Sequence, residues 1–116
     1  MSIEDKFYQA VNEWKEHCRK PEVLYSSYIK VMLSCKAFEM IVKLGPAVLP
    51  LVRKLYDEDD SKCRELSTIK KLGLMAVVHE IVKEEFIIPD EIRGRVNAIE
   101  DYTKRWLDEN MHKYVI

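Results

Sequence analysis

Apolar residues return at steps of three and four along nearly the whole chain, with no convincing run of the alternation a strand needs. The first stretch is the clearest. Ile3, Phe7, Ala10, Val11, Trp14 and Cys18 fall on one stripe of a helix over residues 3–19. Ser2 stands at the N-cap, Asp5 sits at the capping-box position, and Arg19-Lys20-Pro21 places basic residues and a stop at the other end. A second helical stretch, 22–44, is so densely apolar that much of it is expected to be buried. Ser26-Ser27 and Ser34-Cys35 are its candidate breaks.

Gly45-Pro46 is the sharpest punctuation in the chain. Glycine suits the left-handed position past a helix end, and proline suits the first position of the next helix. A third helix is expected over 46–56, with Pro50 loosening or kinking its start. After the acidic turn Asp57-Glu58-Asp59-Asp60, a fourth runs over 61–85 with Gly73 inside it, a site of close packing or of a split. Phe86-Ile87-Ile88-Pro89 reads as an extended apolar connector, and a last helix covers 95–112. The expectation is an all-α, compact bundle of about five helices, formed by residues 1–116 as one domain.

Composition supports that reading. A chain of 116 residues with 47% apolar and 34% charged residues is too hydrophobic for long disorder and large enough for one core. Nineteen Lys and Arg against twenty Asp and Glu leave no basic excess, so nucleic-acid binding is not expected. Lys70-Lys71 with Lys62 and Arg64 is the best basic cluster, but acids interleave it. No apolar run is long enough to cross a bilayer, and the acidic start lacks the character of a secretory signal. Cys18, Cys35 and Cys63 are widely spaced and odd in number, which fits buried thiols in the cytoplasm.

Several residues imitate functional motifs. His79-Glu80 opens like a zincin helix, but position 83 is Lys83 where the second histidine belongs. Asp57-x-Asp59-x-Ser61 opens like a calcium loop, but Lys62 and Thr68 replace its glycine and closing glutamate. Glu80 and Glu84 lie one turn apart without the apolar setting that would split their pKa values. Cys35 has no evident base. The chain shows no phosphate-binding glycine loop and no metal-ligand spacing. No catalytic, cofactor or metal residue is therefore assigned. Trp14 and Trp106 read as core, and Tyr114-Val115-Ile116 as an apolar tail that packs back or docks elsewhere.

The stretch from Phe38 to Val52, with its helix–Gly–Pro–helix corner, resembles the corner of HEAT-like repeats, and Asp57, Asp59 and Arg64 resemble their inner-turn residues. Trp14, the corner Ile41 to Leu51, Gly94 and Trp106-Leu107 also resemble small bacterial and archaeal helical proteins of no assigned activity. These resemblances imply a closed, HEAT-like bundle of helical hairpins. The functional expectation is a module without catalytic activity that binds another protein or its own copy. The alternatives are a small-ligand binder or enzyme built around His79, Tyr28 or Tyr102, and a nucleic-acid-linked regulatory protein.

Overall fold

A computed structural model of the chain describes residues 2–24 and 29–114, with the side chains of Leu24 and Ile29 left aside. The candidate break at Ser26-Ser27, Tyr28, and Val115-Ile116 lie outside the described residues. Among the described residues every regular element is helical. The α-helices are α1 (Ile3–Cys18), α2 (Pro21–Leu24), α3 (Ile29–Leu33), α4 (Lys36–Leu44), α5 (Leu49–Tyr56), α6 (Arg64–Thr68), α7 (Leu74–Val82) and α8 (Val96–Asn110). Five of these (α1, α4, α5, α7 and α8) have eight residues or more, which is the expected all-α bundle. Helix α1 packs on α4, α4 on α7, and α5 on α8, so the apolar stripes meet in one closed core.

Local chemistry sets the ends. The Ser2 hydroxyl accepts from the Asp5 backbone N–H at 3.1 Å, which caps α1. The break at 34–35 lies where it was expected, with Cys35 at the N-cap and no side-chain cap. Gly45 has φ 81° and ψ −167°. That is not the left-handed helical well but the extended positive-φ region that only glycine enters at low cost. The start of the helix that follows is loosened at Pro50. A 3-10 turn over Pro46–Val48 lets the Leu49 N–H donate to Pro46 O, the acceptor that a residue with an N–H at position 50 would have used.

The expected fourth helix is three pieces. It begins at Arg64 rather than Ser61, with Cys63 as N-cap. Between α6 and α7 lies one π-helical turn, Ile69–Gly73, closed by a Leu74 N–H to Ile69 O bond. The extra residue sets every later side chain back by about 100° relative to an unbroken helix. The two adjacent lysines of the turn face different ways. Lys70 is buried at 8% exposure, and its Nζ donates to Glu58 O at 2.7 Å and approaches Asp60 Oδ2 at 3.7 Å. Lys71 stays exposed.

The same turn puts Gly73 against Trp14. A Cβ there would stand 2.6 Å from Cζ2 and Cη2 of the indole. Trp14 is fully buried, its Nε1 donates to Met32 O at 3.1 Å, and its ring meets Phe38 at 5.6 Å between centroids. Trp106 is also buried, at 9% exposure.

One polar group in the core is unmatched. The Tyr56 hydroxyl is buried beside Thr103 and makes no hydrogen bond of normal geometry, while the Thr103 hydroxyl donates to Ile99 O at 2.7 Å. Burial pushes the Tyr56 phenol well above its ordinary pKa. Removing an unmatched hydroxyl removes its desolvation cost. Tyr56→Phe is expected to leave the urea midpoint unchanged or raise stability by about 1 kcal/mol. A loss of 1 kcal/mol or more would show that the hydroxyl is in fact well bonded.

Candidate functional site

The connector between α7 and α8 is held by side chains in a way its sequence does not announce. Helix α7 ends at Lys83, the one described non-glycine residue with positive φ (55°), and a 3-10 turn follows over Lys83–Glu85. The next backbone carbonyls are then taken in succession. Trp106 Nε1 donates to Glu85 O at 3.1 Å. His79 Nδ1 meets Phe86 O at 3.3 Å, and because a carbonyl only accepts, this nitrogen carries the proton. The Tyr102 hydroxyl donates to Ile87 O at 2.9 Å. Phe86 is buried at 1% exposure and its ring packs edge-on to Trp106 at 5.2 Å. The connector is thus pinned from α7 on one side and α8 on the other.

A pinned connector makes one wall of an open groove of about 510 Å³. Phe86, Ile87 and Ile88 form that wall. The π-turn and α7 contribute Leu72, Met75 and Ala76, and α8 contributes Val96 and Ile99. The volume falls within the range of ordinary ligand sites, roughly 300–1,000 Å³. Ile87 is 59% exposed, the most exposed large hydrophobic side chain described. Lys71, His79 and Arg93 are the ionisable residues along the groove, and no Asp or Glu lines it. Arg93 Nε is paired with Asp90 Oδ1 at 3.1 Å, on the surface. Lys71 pairs with no carboxylate among the described residues.

A second depression, of about 590 Å³, lies where α4 meets α7. Leu33, Phe38 and Val42 share it with Glu39, Lys43 and Glu80. Its mixed charges offer a partner less dry surface than the first groove does.

The sequence candidates divide accordingly. His79 reaches the groove, as a wall-positioning residue with one nitrogen already committed. Tyr102 stands behind the wall and holds it. Tyr28, the third of that set, lies outside the described residues. The acidic turn is tied down by its neighbours. Besides Lys70 on Glu58 and Asp60, Asp59 Oδ1 accepts from the Ser61 N–H at 2.9 Å and Arg53 Nη1 meets Asp57 Oδ1 at 3.0 Å. The Ser61 backbone N–H and hydroxyl hold the Asp59 carboxyl below its usual pKa. Glu80 is paired with Lys83 at 3.0 Å rather than with Glu84.

Cys18 is buried, and desolvation, with the Cys35 thiol and the Glu65 carboxylate nearby, pushes its pKa up to about 11. That is the opposite of an activated nucleophile. Among the described residues no group of three His, Cys, Asp or Glu side chains is placed to hold a metal ion. At the C-terminal end the Tyr114 ring lies on Trp106 at 6.3 Å, so the part of the tail that is described packs back.

Residues 85–88 were missed as a site. The signal was there in Ile87-Ile88 before Pro89, two large aliphatics in a connector too short to bury both. Comparison with known protein families, with curated proteins and with solved structures finds no match to this chain.

Proposed function

We propose that this protein is a small binding module of HEAT-like architecture, without catalytic activity, whose apolar groove docks a segment of another protein. One observation carries the reading. The groove presents a continuous apolar surface beside an exposed Ile87 and stands open between two helices and a pinned connector. Burying the exposed part of Ile87 contributes roughly 1–2 kcal/mol, so this surface gains by being covered. The Gly45-Pro46 corner and the closed packing of helices support the architectural part. Free thiols at Cys18, Cys35 and Cys63 support a reducing, cytoplasmic setting.

The test is a tagged pull-down from native-host lysate at low and moderate salt, with protein and nucleic-acid content recorded. Wild type is compared with Ala76→Asp, which puts a charge in the groove, and Lys43→Glu, on the other face. Unfolding midpoints confirm that each bait is folded. The reading predicts a stoichiometric protein that survives moderate salt, is retained by Lys43→Glu and is lost with Ala76→Asp. A clean bait, or a partner indifferent to Ala76→Asp, contradicts it. Nucleic acid that elutes steeply with salt would favour the regulatory alternative.

A further inference from the structure

We infer that the segment this groove receives is an amphipathic helix whose apolar stripe is flanked by Asp or Glu. The inference rests on the reading of the groove as a docking surface and names the chemistry of its occupant.

The helical form follows from backbone hydrogen bonding. An extended peptide pairs its N–H and C=O groups with a protein only at a strand edge, and otherwise leaves them to solvent. The described residues contain no strand. The one extended wall, 86–88, has the carbonyls of Phe86 and Ile87, and that of Glu85 just before it, already taken by His79, Tyr102 and Trp106. The other walls are mostly helices, whose backbone groups bond internally, with the turn at Arg93 and Gly94 at the edge. A peptide that enters must satisfy its own backbone, and a helix does so. Its apolar residues at i, i+3 or i+4, and i+7 then lie against Met75, Ala76, Ile87 and Ile99.

The charge follows from what borders those residues. Lys71 and Arg93 stand along the groove with no carboxylate in its lining. Arg93 already meets Asp90, so Lys71 is the cation open to a new partner. A helix with an acidic flank gains from this field, and one with a basic flank is repelled.

The experiment selects helix-forming peptides, apolar on one stripe and random at the flanks, by display on the full-length folded protein. Selection is repeated on Lys71→Glu and Ala76→Asp. Enrichment of Asp and Glu at the flanks is expected on wild type. The enriched peptides should bind Lys71→Glu about tenfold more weakly, as reversal of an exposed pair implies. Lys71→Glu should instead enrich basic flanks. Apolar peptides that are lost on Ala76→Asp but show no acidic bias, and bind Lys71→Glu equally well, would overturn this inference and leave the docking groove standing. No enrichment on wild type, or peptides indifferent to Ala76→Asp, would overturn both. Enriched peptides that are rich in proline and bind in an extended form would overturn the helical part.

Discussion

Trp14→Ala is expected to lower stability by about 3–5 kcal/mol, the largest loss from any single truncation in this chain. Trp14 is fully buried, and three neighbours depend on it: Phe38 tilted against its ring, Met32 O on its Nε1, and Gly73 against its far edge. Removing the indole leaves a cavity that helices α1 and α4 and the π-turn close only in part. It also strips Met32 O of its donor, at about 1–3 kcal/mol if water does not reach it. A small domain holds roughly 5–15 kcal/mol in total, so the variant stands near the edge of folding. Urea titration followed by far-UV circular dichroism measures it. A loss below about 1 kcal/mol would mean that the core does not centre on this residue.

The second large effect is at Gly73, and it is tied to the first. Alanine is normally the better helix residue by about 1 kcal/mol. Here its Cβ would have to occupy space 2.6 Å from two carbons of an indole fixed by its own hydrogen bond. Overpacking of that kind costs about 1–3 kcal/mol, so Gly73→Ala should destabilise by up to about 2 kcal/mol net. In a Trp14→Phe background the smaller ring withdraws, and the same substitution should become neutral or stabilising. The double-mutant cycle should show a coupling of about 1 kcal/mol or more. Strict additivity would mean that Gly73 is required by backbone geometry and not by the ring.

Those two residues show what was readable and what was not. The stripe of α1, its Ser2 cap, the Gly45-Pro46 corner and the extended run before Pro89 all rest on local chemistry, and local chemistry is written in neighbouring residues. The π-turn is different. Lys70-Lys71 looks like any solvated pair, and only tertiary contact decides that Lys70 turns in to clasp the acidic turn. The same turn carries Leu72 at the groove and Gly73 against Trp14. The acidic turn, too, takes partners that its neighbouring residues do not announce, Lys70 and Arg53, the second of which lies before the turn. The groove escaped for the same reason. Its walls come from residues 71–79, 86–88 and 93–99, and its rigidity comes from Trp106 and Tyr102 on a helix that starts beyond the connector. His79 was noticed for a metal motif it does not complete, whereas its role is to hold a carbonyl.

The groove between α7, the connector and α8 is proposed as a ready binding surface, and methyl NMR of the full-length protein, titrated with a panel of small apolar fragments, tests it. Shifts are expected at the methyls of Met75, Ile87, Ile88, Val96 and Ile99, and their loss in Ala76→Asp. Shifts that gather instead at Leu33 and Val42, or no shifts at any fragment concentration, would contradict it.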